Sequence, residues 1–206
     1  MYYAVRKGYK VGIFDNWPEA QAATAKFSGP QFKKFKSKAE AEAYLENRDF
    51  WAEQLSADNK NGYLVAFTDG SFDINLKRYA YGVALVKPDG TEDSICGYGC
   101  NPLYLDSHNV AGEIFGVISA LDWAVANGFN KVKIYHDYIG LSKWISGEWR
   151  TNVEVSQMLV DVFKEKFEGV LTVKFIKVPG HSNIPLNEKA DRLAMSALAG
   201  EKSNIV

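Results

Sequence analysis

Four acidic residues stand where an interior prefers apolar side chains. Asp69 ends the apolar run Leu64-Val65-Ala66-Phe67-Thr68, and Asp137 ends the run from Lys131 to His136. Glu113 lies three residues after Val110 and four before Val117 in a pattern of helical spacing, and Asp191 follows Ala190 two residues before Leu193. Carboxylates brought together repel and raise one another's pKa unless a divalent cation neutralises them. An all-oxygen set favours Mg²⁺, with Mn²⁺ as the alternative, over zinc, which wants His or Cys. Two such ions about 3.5–4 Å apart would stabilise both the attacking and the leaving oxygen of an in-line displacement at phosphorus. Taken singly, each acid also fits an ordinary place: a turn before Gly70-Ser71, a helix's first turn, a strand end, or a surface ion pair. Their joint placement with a second motif favours the metal reading.

That second motif runs Gly180-His181-Ser182-Asn183-Ile184-Pro185-Leu186-Asn187-Glu188-Lys189-Ala190-Asp191. His181 falls in a loop after a strand. An imidazole there could reach the acids and hand a proton to a leaving 3′-oxygen, or help to release product. His136 and His108 are the rivals. Strand alternation turns His136 away from the face of Asp137, which makes it structural.

These residues need elements to hold them. The spacing predicts strands over 1–6 and 11–14, a helix entered through Trp17-Pro18-Glu19, and a strand over 31–35. Ser37 and Glu40 form a capping box for a helix ending near Asn47. Residues 48–61, rich in charged and polar residues but containing Phe50, Trp51 and Leu55, read as a linker with a helical turn in its middle. Three antiparallel strands follow from Tyr63, over 80–87 and over 92–100. A long helix capped by Ser107 or Asn109 carries Val110, Ile114, Val117, Ile118, Leu121 and Val125 on one face until Gly128. Then come a strand over 131–136, a helix over 138–146, an amphipathic helix over 153–168, a strand over 171–178 and a helix over 185–198. The pattern is α/β: a mixed five-stranded sheet with helices on its faces, preceded by a small α+β domain with three strands.

The formal net charge is −1, which by itself argues against a nucleic-acid partner, but the average conceals a division. Residues 1–47 hold eight Lys/Arg against five Asp/Glu, and the rest of the chain carries a net −4. A basic end on an acidic body fits an affinity module for phosphates beside a metal-binding body. No apolar run approaches the ~20 residues of a bilayer span, and the first residues have no signal-peptide pattern, so a soluble, cytoplasmic protein is expected. Cys96 and Cys100 read as two reduced thiols, since a four-residue separation along one strand is poor disulfide geometry.

Phe67-Thr68-Asp69-Gly70-Ser71, the helix bearing Glu113, Asp137 at a strand end, and Gly180-His181 ten residues before Asp191 together resemble the catalytic domain of type 1 ribonuclease H over roughly 63–200. The resemblance implies a ribonuclease H-like fold and metal-dependent endonucleolytic cleavage of the RNA strand of RNA/DNA hybrids, leaving 5′-phosphate and 3′-hydroxyl ends. It implies two Mg²⁺ per site: Asp69 shared by both, Glu113 and Asp137 completing the ion on the leaving-group side, and Asp191 completing the ion that activates water. Residues 1–46 look like the hybrid-binding domain of such enzymes, through Tyr2-Tyr3-Ala4-Val5, Gly8, Gly12-Ile13-Phe14, Trp17 and Phe32-Lys33-Lys34-Phe35. By that likeness Tyr3, Trp17 and Phe32 contact the DNA strand, Lys33 and Lys34 its phosphates, and Ser71 and Asn109 the nucleic acid near the acids. The implied division is a hybrid-binding domain at 1–47, a linker at 48–61 and a catalytic domain at 62–206, acting as a monomer without an obligate protein partner. The chain departs from the pattern at His108, where a small hydroxyl residue often helps to seat a DNA phosphate, and at Tyr138, where serine is common. The loop between Trp144 and Thr151 has Arg150 as its one basic residue, so the basic protrusion of some members is missing.

Overall fold

In the computed structural model, residues 1–180 and 184–200 are described; His181 lies outside the described residues. The chain forms two compact units, Met1–Ser56 and Ala57–Val206.

In the first unit, β1 (Tyr2–Lys7) pairs antiparallel with both β2 (Gly12–Phe14) and β3 (Gln31–Phe35), in the order β2-β1-β3. Helix α1 (Trp17–Thr24) starts where the Asn16 side chain accepts the N–H of Glu19 at 3.0 Å, with Pro18 in the first turn, where its missing N–H costs nothing. Helix α2 (Lys38–Leu45) has the expected capping box of Ser37 and Glu40. Ala20 and Ala23 of α1 pack on Val5 and Phe14. Strand alternation sends Ala4 to the opposite face, and α2 packs on β1 with Ala41 and Ala43 buried.

The segment read as a linker is largely a helix, α3 (Phe50–Lys60), and the division between the units falls inside it. Asp49 caps it, its Oδ1 accepting the N–H groups of Trp51 and Ala52 at 3.1 Å each. Asp58 on α3 is buried, accepting from the Tyr135 hydroxyl and pairing with Lys133. The expected helical turn is thus a full helix anchored to the second unit, which the polar composition concealed because its one deeply buried side chain is an acid with its partners supplied from the sheet.

The second unit contains β4 (Leu64–Asp73), β5 (Arg78–Val86) and β6 (Glu92–Gly99), then the short α4 (Pro102–Leu105) and the long α5 (Asn109–Ala126). Strand β7 (Lys131–His136), α6 (Gly140–Ile145), α7 (Glu154–Val162) with a π-helical turn over Phe163–Phe167, β8 (Thr172–Lys177) and α8 (Pro185–Leu198) complete it. The sheet order is β6-β5-β4-β7-β8, antiparallel among the first three strands and parallel from β4 through β7 to β8. Ile114, Val117 and Leu121 of α5 are fully buried in one core with Leu64, Ala66, Val83, Leu85 and Ile134. Helix α8 packs against β4, β5 and β6.

Two local expectations change. Asp69 does not end β4, which runs four residues further in antiparallel pairing with β5. What stops beside Asp69 is the parallel pairing with β7, whose last register pair is Phe67 with Tyr135. Nor do Ser107 or Asn109 cap α5: the N-cap is His108, at φ 50° and ψ −129°, with no side-chain cap bond.

Candidate active site

The four predicted carboxylates come together. Asp69, Glu113, Asp137 and Asp191 line one open cleft of about 520 Å³, with Asn109 also on its wall. Each arrives by a different local device. Asp69 and Asp137 sit where the central parallel pair β4–β7 ends and the strands separate, the position where α/β sheets collect ligands. The Asp69 Oδ1 accepts the N–H of Gly70 at 2.8 Å. The Lys177 ammonium donates to the Asp137 main-chain carbonyl and, at 2.9 Å, to that of Val178, tying the ends of β7 and β8 together.

Glu113 and Asp191 are delivered by helices seated directly on glycines. A Cβ at Gly70 would lie 2.2 Å from the Asn109 carbonyl oxygen and 2.5 Å from the Glu113 nitrogen. One at Gly82 would lie 2.1 Å from the Ala190 carbonyl oxygen and 2.6 Å from the Ala194 nitrogen. Both contacts are with backbone, so α5 and α8 approach β4 and β5 as closely as they do only because these side chains are absent.

Glu113 is 2% exposed, and burial, followed by the charges of Asp137 and then Asp69, pushes its carboxyl up to about 9; Lys177 acts against this. Its Oε2 has no hydrogen-bond partner among the described residues. A buried, unpartnered carboxylate oxygen beside two other acids calls for a cation. Among the described residues no three His, Cys, Asp or Glu side chains are gathered tightly enough to grip an ion as they stand. The donor chemistry nonetheless fits a hard divalent ion: oxygen donors, one of them orphaned, opening onto solvent.

Three further residues of α8 line the cleft that sequence reasoning did not single out: Asn187, Glu188 and Arg192. Their spacing relative to Asp191 places them on one side of the helix, which is the signal that could have found them. Ser71, two residues beyond Asp69 on β4, does not line the cleft. His136 is fully buried, its Nδ1 bonded to the Tyr138 carbonyl at 2.8 Å, and burial lowers its pKa to about 4, so it is a neutral structural residue as the strand alternation implied. His108 is exposed and lies tilted against Phe72 with ring centroids 4.5 Å apart, and Tyr138 packs its ring against Trp144 at 5.5 Å.

In the first unit, Trp17 lies between Tyr3 and Phe32, at centroid distances of 5.5 and 5.6 Å. Trp17 is 39% and Phe32 41% exposed, so both are surface aromatics and not the small domain's core. The register pairs Tyr3 with Lys34 and Ala4 with Lys33, placing the two lysines on opposite faces. Lys34 reaches over the Tyr3 ring at 5.8 Å and Lys33 over Phe35 at 5.7 Å.

Comparison with known proteins gives a consistent result. The RNase H family profile matches residues 61–199, and the profile of the ribonuclease H1 N-terminal domain matches residues 1–45. Human ribonuclease H1 is 25% identical over 260 residues, covering 94% of this chain and 88% of the relative; the mouse protein is 26% identical over 256 residues with the same coverage. Among solved structures, RNase H1 of the halophilic archaeon Halobacterium salinarum aligns with a TM-score of 0.53 at 27% identity, covering 68% of this chain and 99% of that one. LC11-RNase H1 in complex with an RNA/DNA hybrid aligns with a TM-score of 0.53 over 66% of this chain and 99% of that one; at 16% identity this is a likeness of fold.

Proposed function

We propose that this chain, which belongs to the ribonuclease H family, cuts the RNA strand of RNA/DNA hybrids in the cleft between β4, β7, α5 and α8. The observation that carries the reading is the convergence of four carboxylates on that cleft, with Glu113 buried and one of its oxygens unpartnered. Divalent ions, Mg²⁺ or Mn²⁺, would be held by Asp69 in common, by Glu113 with Asp137, and by Asp191, and when bound they supply charge neutralisation and polarise the scissile phosphate. The protein's part is to keep the acids in place: Lys177 fixes the backbone at Asp137, and Gly70 and Gly82 let the helices bring Glu113 and Asp191 to the cleft. His181 would protonate the leaving 3′-oxygen, a role that rests on its place in the sequence. Water adds to phosphorus as the P–O3′ bond breaks, leaving a 5′-phosphate and a 3′-hydroxyl.

The first unit would hold the hybrid by its DNA strand, with Tyr3, Trp17 and Phe32 against sugars and bases and Lys33 and Lys34 on phosphates. Ser71 and Asn109 would contact the hybrid near the acids, Asn109 at an RNA 2′-hydroxyl. Similarity to ribonuclease H1 proteins over nearly the whole chain supports this reading. The direct test is Asp69→Asn. Cleavage of a labelled hybrid should disappear while hybrid binding persists, and analysis of the wild-type products should show 5′-phosphates; retained turnover in the variant would refute the assignment of the acids.

A further inference from the structure

Residues 48–206 carry a net −4, yet the β7–β8 half of the sheet gathers three lysines on one face. It is the face on which α8 sits, marked by Gly82 of β5. The register carries that face from Gly82 to Asp69 and, at alternate positions along β4, from Val65 to Lys133 of β7 and on to Lys174 of β8. Lys131, two residues before Lys133, shares it. Helix α8 packs against β4, β5 and β6, so the lysines lie beyond those contacts; Lys131 and Lys174 are exposed and Lys133 is half-buried. Their ammonium groups converge on the ring of Tyr63, at 5.9 Å from its centre for Lys131, 4.9 Å for Lys133 and 5.4 Å for Lys174. Lys133 is paired with the buried Asp58, whereas Lys131 and Lys174 form no ion pair among the described residues. Cations this close repel one another, and the ring's negative face offsets only part of that. An anion from outside would complete the group.

We propose that Lys131, Lys133 and Lys174, gathered on Tyr63, bind the phosphates of a single-stranded extension of the substrate that runs down the sheet from the cleft. The choice of a nucleic acid rests on the reading of the cleft as a nuclease site. Lys131 begins β7 and Asp137 directly follows its end, so the patch lies about 20 Å from the acids along the strand. Contacts at the scissile phosphate do not extend so far, and a stiff duplex seated in the cleft does not bend over the sheet. A single strand does. Side chains on one face of a strand recur about every 6.6 Å, and neighbouring strands stand about 4.8 Å apart, so the lysines offer charge at steps an extended backbone can follow. Cations beside an aromatic ring on an open surface are the chemistry that single strands bind without sequence preference. Lysines grip phosphate as point charges and read neither base nor sugar, so RNA and DNA extensions serve alike.

The test compares, with the full chain in chelator, binding of a blunt hybrid and of the same hybrid carrying a tail of about ten nucleotides on either end of either strand. At about 0.1 M salt, at least one tail should tighten binding by wild type on the order of tenfold, the worth of three exposed ion pairs. In the double variant Lys131→Ala/Lys174→Ala most of that gain should vanish, and the salt slope for the tailed hybrid should flatten by about 0.7 for each lost phosphate contact. Its affinity for the blunt hybrid, its Mg²⁺-dependent cleavage of that hybrid and its melting temperature should match wild type. Lys131→Arg/Lys174→Arg should keep the gain. The proposal is overturned if no tail tightens binding by wild type, or if the alanine variant keeps the full gain. It is equally overturned if that variant weakens blunt and tailed hybrids alike, which would put the contact on the duplex. Failure of wild type to cut the blunt hybrid with Mg²⁺ would count against the nuclease reading instead, while the tail comparison still decides this proposal.

Discussion

Burial holds the Glu113 carboxyl up to about 9 in the metal-free protein, so the folded chain keeps a proton that an unfolded chain releases near the ordinary 4.5. Between those values the folded state binds more protons, and stability therefore falls as pH rises. Glu113→Gln should remove that slope and stabilise the metal-free protein by about 1–3 kcal/mol at pH 8, while abolishing cleavage. Urea unfolding in chelator at several pH values checks the first half, and stability of the variant that declines with pH as steeply as wild type would contradict it. Added Mg²⁺ or Mn²⁺ should stabilise wild type more than the variant. The four acids were legible in the sequence because each interrupts an apolar pattern. Asn187 was not: in an amphipathic helix an asparagine reads as surface, and only the seating of α8 against the sheet buries it.

Helix placement decides whether the acids meet at all. Gly82 allows α8 to sit on β5, and a methyl there must push the helix backbone away. Gly82→Ala is expected to cost about 1–3 kcal/mol of stability, as overpacking does. It should also lower cleavage more than hybrid binding, because Asp191 moves with α8 while the first unit is untouched. Thermal melting together with separate binding and turnover measurements checks this; equal losses in both would contradict it. Most elements follow from local signals: the Ser37–Glu40 capping box, the apolar stripe of α5 and the proline entering α8. Three features were hidden. Helix α3 carries its buried anchor on an acid, β4 continues past Asp69 because β5 still pairs with it, and α5 begins at a positive-φ histidine where serine or asparagine capping was expected.

Over the whole molecule, the net charge of −1 divides into a basic first 47 residues and an acidic remainder. The sequence treats Lys33 and Lys34 as equivalent phosphate contacts, yet strand alternation separates them: Lys34 shares a face with Tyr3, and Trp17 and Phe32 pack alongside. Lys34→Ala should weaken hybrid binding more than Lys33→Ala and flatten the dependence of log affinity on log salt by about one. Affinity titrations across a range of salt compare the two variants, and equal effects would show that both lysines reach the same phosphates. The function proposed is cleavage of RNA only when it is paired with DNA, in one cleft of carboxylates and only with a divalent ion. Its most direct test is cleavage of matched RNA/DNA hybrid, double-stranded RNA and double-stranded DNA by the full chain, with Mg²⁺ and with chelator. Cutting of the hybrid's RNA strand alone, lost in chelator, is expected; cleavage that persists in chelator, or a hybrid left intact with Mg²⁺ present, would rule the proposed function out.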